Sequence, residues 1–291
     1  MATLGIDIGG TSVKVCLLDG DACHTSRSSV YANPSREKLI DAIREAIGQL
    51  RQMIGVTIDA TIPVGFCLPG KRSGDGQSIE RSVNLPCLDG WVFDELMTQS
   101  LGHLAIKWRV LSDVQAAGED FICAHKCCDR TAIIAIGTGV GIAVFDDREA
   151  AGIGKRGVGH LGMMDMGRLG ERDVVGPDGA KNTLESYIGA RAIEARFPEI
   201  ESAMLPEAIG TLAMDEPTMT AIVRMIRVVH AIYVPDQIVL MGGIGIALKP
   251  LQIQLQTVVN DGLTSLANPS WRLMFGDSPY HAARGAARSV S

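Results

Sequence analysis

Gly5-Ile6-Asp7-Ile8-Gly9-Gly10-Thr11-Ser12-Val13-Lys14-Val15 sets an acidic residue and a glycine pair between two apolar runs. The runs Leu4 to Ile8 and Val13 to Leu18 read as strands, and the stretch between them as the turn of a β-hairpin. Gly9 and Gly10 have no Cβ and are free to take φ > 0, so the expected turn lets backbone N–H groups converge on an anion. Thr11 adds a hydroxyl donor. Asp7, at the end of the first strand, is placed to hold a hydrated Mg²⁺ beside phosphates, because Mg²⁺ prefers carboxylate and water oxygens. On these residues alone, an ordinary Gly-Gly hairpin with a surface Asp is the alternative.

The chain of 291 residues is long enough for two domains or one large one. Hydrophobic residues make up 46% and aromatics only 4%, so cores are built from Ala, Val, Ile, Leu and Met, and an aromatic-lined nucleic-acid platform is not expected. A net charge of −6 and a pI near 5.5 argue in the same direction against nucleic acid or an anionic membrane as partner. No apolar run reaches the roughly 18 residues of a spanning helix, and the N-terminus has no signal-peptide pattern. Seven cysteines, three of them inside apolar runs (Cys16, Cys67, Cys123), fit reduced thiols in a cytoplasmic protein. No C-x-x-C occurs, so a cysteine metal site is not expected.

Further strand signals cover 61–67 and 105–111, with helical patterns at 35–53, opened by Asn33-Pro34-Ser35, and at 92–102. Residues 69–91 read as loops. The pattern then begins again. Strands 131–136 and 141–145 flank Gly137-Thr138-Gly139-Val140, and loops over 146–182 precede helices at 184–196 and 218–233. A strand at 237–241 then ends in Gly242-Gly243 and opens a helix. Two related halves predict a duplicated α/β architecture with a cleft between them. The expected domains are a smaller N-terminal one, 1–115, joined by a C-terminal helix over about 281–291, and a larger one, 116–280.

The turn Gly137-Thr138-Gly139 repeats the logic of the first, with small residues and a hydroxyl suited to phosphate oxygens. Gly242-Gly243 could let the flat face of a nucleoside lie against backbone, and tight strand–helix packing explains it equally well. A P-loop is excluded because no G-x-x-x-x-G-K-[ST] occurs, and no G-x-G-x-x-G fingerprint supports a dinucleotide fold. Asp113, where a helix begins after the strand ending at Leu111, suits a base that accepts a hydroxyl proton during phosphoryl transfer. The alternative is a plain helix N-cap.

In order, Asp7-Ile8-Gly9-Gly10-Thr11, Pro69-Gly70, Asn84-Leu85-Pro86 with Trp91, Ser112-Asp113 with Ala116-Ala117-Gly118-Glu119, Gly137 to Gly141, Gly157-Val158-Gly159-His160, Leu184-Glu185 and Gly242-Gly243 resemble the ROK family (repressors, open reading frames, kinases). The resemblance covers residues 3 to about 287. It implies an actin-like ATPase, ribonuclease-H-like fold of two α/β domains closing on a sugar and Mg-ATP. By it, Asp113 is the base for a sugar hydroxyl, usually the 6-OH of a hexose. Asn84, His160 and Glu185 bind sugar hydroxyls, and Gly70 lies beside the sugar. Gly9, Gly10, Thr11, Gly137, Thr138 and Gly139 hold phosphates, and Gly242 and Gly243 lie near the nucleoside.

Three positions depart from the pattern. The stretch 175–185, where many members carry a zinc-binding cysteine cluster, has no cysteine, so no zinc site is expected. Val158 stands where the loop glutamate of G-E-x-G-H falls, and Ser112 replaces the usual Asn before the base. The resemblance therefore implies a glucokinase-like enzyme that uses ATP and Mg²⁺ on a hexose or N-acetylhexosamine, and a homo-oligomer such as a dimer. A polyphosphate-dependent relative and a non-catalytic sugar sensor are the alternatives. A repressor is not expected, since only six residues precede Asp7.

Overall fold

The computed structural model describes residues 2–55, 62–102, 107–152, 158–167, 173–176, 179–201 and 204–291. Gly157 of the expected sugar loop lies outside them, as do Thr61 and Ala105 of two expected strands. The chain forms two compact units, residues 1–124 with 280–291, and residues 125–279.

Unit 1 is built on a five-stranded sheet of β1 (Thr3–Ile8), β2 (Val13–Asp19), β3 (Ala22–Arg27), β4 (Val64–Cys67) and, after the short hairpin β5 (Lys71–Arg72) and β6 (Ile79–Arg81), β7 (Trp108–Leu111). Its order is β3-β2-β1-β4-β7. β1 runs antiparallel to β2 and parallel to β4. All six residues of β1 are buried, with no alternation, because both faces of the central strand are covered. On one face, Leu4, Ile6 and Ile8 pack with Leu39, Ile43 and Leu50 of α1 (Arg36–Ile54). Ser35 caps that helix by accepting from the Lys38 N–H at 3.3 Å, and Gly55 ends it at φ 64°. α2 (Phe93–Leu101) adds Phe93, Leu96 and Met97 to the same core.

The other face carries the C-terminal helix, His281–Arg288. It approaches at backbone distance. A Cβ on Gly5 would lie 2.5 Å from the Ala287 nitrogen, and one on Gly65 would lie 3.0 Å from the Ala286 Cα. A Cβ on Gly285 would fall 2.5 Å from the carbonyl carbon of Ala116 in α3 (Asp113–His125). Asp120 of α3 fixes this packing: its buried carboxylate meets His281 Nδ1 at 2.7 Å and accepts from Arg288 Nε at 2.8 Å. Unit 1 thus takes in the body of α3, the helix that the C-terminal segment packs against.

Unit 2 repeats the scheme with β8 (Thr131–Ile136), β9 (Val140–Asp146), β10 (Glu149–Ala150), β11 (Gln237–Met241) and β12 (Arg272–Phe275), in the order β10-β9-β8-β11-β12. Directions match those of the first sheet: β8 is antiparallel to β9 and parallel to β11. Its helices are α4 (Glu185–Ile188), α5 (Ala190–Arg196), α6 (Leu205–Ile209), α7 (Pro217–Tyr233), α8 (Gly242–Ala247) and α9 (Gln252–Asn260). The single helix expected at 184–196 is broken at Gly189, which is extended (φ −66°, ψ 148°). The break lets the Ala190 N–H reach the Gly137 carbonyl at 2.8 Å. α7 supplies much of the core through Met219, Ile222, Met225, Ile226 and Val229.

Candidate active site

The first glycine turn is braced from the far end of β3. The Gly9 N–H donates to the Ser12 carbonyl at 3.1 Å, the Tyr31 hydroxyl to the Gly9 carbonyl at 2.6 Å, and the Tyr31 N–H to the Thr11 carbonyl at 2.9 Å. Arg27 Nε donates to Ser12 Oγ at 2.9 Å, and Ser28 Oγ accepts from the Val13 N–H at 3.0 Å. These three carbonyls are engaged, whereas the N–H groups of Gly10, Thr11 and Ser12 meet no acceptor among the described residues. Such a set of free donors suits an anion. Neither Gly9 nor Gly10 uses its freedom to take positive φ. Crowding is the reason for glycine at position 9, where a Cβ would sit 3.2 Å from the Ser12 carbonyl oxygen.

Three side chains of unit 1 converge beside this turn. Asp7 is buried (6% exposed), facing its cross-strand partner Lys14 with Oδ2 3.6 Å from Nζ. Its Oδ1 accepts from Cys67 Sγ–H at 3.5 Å across the β1–β4 register. Burial pushes the Cys67 thiol well up, and Asp7 and Asp113 act in the same direction, so the thiol stays protonated and serves as the donor.

Asp113 opens α3 without capping it. The cap is Ser112, whose Oγ accepts from the Gln115 N–H at 3.3 Å and whose carbonyl accepts from the Ala116 N–H. Asp113 accepts from the neighbouring Val114 N–H, at 2.8 Å. Its carboxyl is raised to about 6, by desolvation first and by the charge of Asp7 second, with the Val114 N–H and Lys14 opposing. The side chain is nonetheless exposed, so water tempers the desolvation, while the Asp7 charge acts upward in either case.

Gly70 is exposed at φ 120° against Arg81 and Ser82, with a Cβ there only 2.7 Å from the Arg81 carbonyl oxygen. Asn84, two residues on from Ser82, is half-buried, and its amide has no hydrogen-bond partner among the described residues. Trp91, by contrast, is a core residue, fully buried with the Arg36 guanidinium 4.9 Å from its ring centroid.

In unit 2 the second turn is closed by the Gly137 N–H donating to the Gly139 carbonyl at 2.9 Å. The N–H groups of Thr138 and Gly139 meet no acceptor among the described residues. Glu185 is tied to this turn, since its Oε2 accepts from the Val140 N–H at 3.0 Å. Gly162 gives that carboxylate room: a Cβ on it would lie 2.9 Å from Glu185 Oε2. His160, two residues earlier, is exposed. Val158 packs against the core of unit 2, and its carbonyl accepts from the Tyr233 hydroxyl at 3.1 Å.

The glycines after β11 divide in role. Gly242 has φ 78°, and a Cβ would lie 2.8 Å from the Ile136 carbonyl carbon, so its place is set by packing of α8 on β8. Gly243 is exposed, and a Cβ added to it would meet nothing within 4 Å. Among the described residues no group of three or more His, Cys, Asp or Glu could hold a metal ion. The segment around 173–182 is instead tied by hydrogen bonds: Asn182 Oδ1 accepts from the Val174 N–H at 2.8 Å, and Asp173 pairs with Lys181 at 2.9 Å.

Lys14 and Cys67 are the residues of this region that sequence reasoning missed. The signal for Lys14 was available, because a hairpin with a four-residue turn pairs positions 7 and 14 directly. Cys67 faces Asp7 only through a parallel pairing sixty residues away.

The ROK family model matches residues 3–279. A curated relative, the kanosamine kinase of Amycolatopsis mediterranei (strain S699), is 28% identical over 254 residues, covering 82% of this chain and 80% of that protein. Among solved structures, a ROK family glucokinase from Streptomyces griseus in complex with glucose and AMPPNP superposes with a TM-score of 0.77 at 17% identity, covering 100% of this chain and 99% of that one. An inorganic polyphosphate/ATP-glucomannokinase from Arthrobacter sp. strain KM gives 0.63 at 18% identity, covering 99% and 98%. The fold is the actin-like ATPase fold of these proteins.

Proposed function

The chain belongs to the ROK family, and from that footing we propose that it is a sugar kinase which transfers the γ-phosphoryl group of ATP to the 6-hydroxyl of a hexose or hexosamine, with Asp113 as general base. The observation that carries this reading is the state of Asp113. It is exposed at the first turn of α3, it is relieved of capping by Ser112, and its carboxyl is raised toward the pH at which a base works. Phosphoryl transfer asks little covalent chemistry of the protein, so the remaining residues position groups and stabilise charge.

In this reading the free N–H groups of Gly10, Thr11 and Ser12, and those of Thr138 and Gly139, donate to phosphate oxygens. Gly243 offers backbone to the nucleoside. Asn84 supplies an unpartnered amide for a sugar hydroxyl beside Gly70, and Glu185 and His160 supply further polar contacts. Asp7 fits a hydrated Mg²⁺: it is a carboxylate, and the 3.6 Å spacing of Lys14 is longer than a hydrogen bond and leaves lone pairs for a metal-bound water. When bound, Mg²⁺ neutralises charge on the phosphates. The matched kanosamine kinase adds an amino sugar to the acceptors to be tried.

The test is a coupled ADP-release assay with Mg-ATP against glucose, mannose, N-acetylglucosamine, N-acetylmannosamine, allose, fructose and kanosamine. Sugar-dependent turnover roughly tenfold or more above the sugar-free rate supports the reading. Turnover with inorganic polyphosphate and none with ATP would overturn the donor. No sugar-dependent turnover with either donor would overturn the kinase and favour a sugar-binding sensor.

A further inference from the structure

Cys16 of β2 and Cys23 of β3 place their sulfur atoms 3.4 Å apart. Cys16 stands opposite Thr25 and Cys23 opposite Leu18, so the two are diagonal neighbours on one face of an antiparallel pair. Cys16 is buried and Cys23 exposed. None of these groups has a part in the phosphoryl-transfer reading.

We propose that Cys16 and Cys23 form a reversible oxidation site, in which a hydroperoxide converts the accessible Cys23 to a sulfenic acid and Cys16 resolves it to an intramolecular disulfide. In the first step the Cys23 sulfur attacks the terminal peroxide oxygen, the O–O bond breaks, and the alkoxide or hydroxide leaves with the thiol proton as alcohol or water. In the second, the Cys16 sulfur attacks the Cys23 sulfur, the S–O bond breaks, and the departing hydroxide takes the Cys16 proton as water.

Diagonal pairs lie about 7–8 Å apart at Cα, slightly beyond the usual reach of a bridge, about 6.8 Å. Closing the bond therefore draws β3 along β2. β3 is the edge strand and enters through Gly20 at φ 57°, so a shift along β2 meets no further strand on its outer side. Its far end carries Arg27 and leads into Ser28, which hold the first glycine turn. The bridged form is therefore expected to bind nucleotide more weakly. That consequence rests on the kinase reading, whereas the bridge itself does not.

The experiment treats the native full-length protein with hydrogen peroxide, alkylates the remaining thiols and digests with trypsin. Both cysteines fall in one peptide, Val15–Arg27. The expected result is a peptide short of two hydrogens that takes up no alkylating agent, and that takes up two equivalents after dithiothreitol. Recovery of the doubly alkylated peptide after oxidation would overturn the proposal, as would a cross-link from Cys23 to Cys123. In Cys16→Ser, Cys23 is expected to stop at a sulfenic acid trapped by dimedone, and Cys123→Ser is expected to leave the bridge intact. Where the kinase assay is active, oxidation should raise the KM for ATP about threefold or more. An unchanged KM in the bridged protein would overturn the coupling to the turn and leave the kinase reading untouched.

Discussion

Gly285→Ala sets two effects of known size against each other. In a free helix interior the change stabilises by about 1 kcal/mol, because glycine is the poorer helix former. Here the new Cβ would fall 2.5 Å from the carbonyl carbon of Ala116 and 3.2 Å from its Cα, where carbon atoms normally lie about 3.5–4.0 Å apart. The C-terminal helix must then retreat from α3 by roughly 1 Å. Asp120 resists that movement, since it holds His281 and Arg288 at 2.7 and 2.8 Å. Overpacking costs about 1–3 kcal/mol, and loosening the hydrogen bonds to the buried Asp120 carboxylate adds to it. The expected net loss is about 2 kcal/mol after the helix-propensity gain. Gly48→Ala is the control: it lies inside α1 with nothing within 4 Å of a Cβ, and should gain about 0.5–1 kcal/mol. Urea midpoints followed by circular dichroism read both. If Gly285→Ala rises with Gly48→Ala, the close packing of the C-terminal helix on α3 is refuted.

Asn84→Ala should raise the sugar KM about tenfold, the worth of one hydrogen bond near 1.4 kcal/mol, and should leave the urea midpoint unchanged because the amide has no partner to lose among the described residues. A lowered midpoint would show a structural role instead. Asp120→Ala should cost about 3 kcal/mol by leaving His281 and Arg288 without their buried carboxylate, read as a fall in the same midpoint. His230 is buried against Trp271, neither ring nitrogen has a partner among the described residues, and burial lowers its pKa from 6.5 to about 4. The unfolded chain therefore binds the proton more readily, so this contribution to stability is complete above about pH 6.5 and is lost as pH falls toward 4. His230→Phe should flatten the fall in midpoint across that window, and an unchanged slope would assign the acid sensitivity elsewhere.

What the sequence made legible were the features set by local chemistry. The hairpin turns at Gly9–Ser12 and Gly137–Gly139, α1 with its Ser35 cap, and the Gly242 strand-to-helix junction all carry their signals within a few residues. The edge strand β3 was not legible, because its sequence Ala22-Cys23-His24-Thr25-Ser26-Arg27 is polar and half-exposed. Nor was the break at Gly189, which is decided by the Gly137 carbonyl in a different element. The glycines that matter most for packing, Gly5, Gly65 and Gly285, sit in strands and a helix without any turn signal, and their role appears only when the C-terminal helix arrives. The same holds for Asp120, whose partner His281 lies 161 residues on. At the site itself, the choice between base and cap for Asp113 could not be made from spacing, since Ser112 and Asp113 are both good capping residues. The hydrogen bond from the Gln115 N–H to Ser112 decides it.

The central claim is that Asp113 is the base, and turnover set beside sugar binding in Asp113→Asn tests it most directly. With the phosphorylated sugar identified, kcat is measured by ADP release and the sugar Kd by calorimetry for both proteins. The account predicts a fall in kcat of about two orders of magnitude or more, with the Kd nearly unchanged. It also predicts that the wild-type kcat rises with pH through about 6 as the carboxyl ionises, and that the variant loses this rise. Near-normal turnover in Asp113→Asn, or the same rise through pH 6 in both proteins, would contradict it.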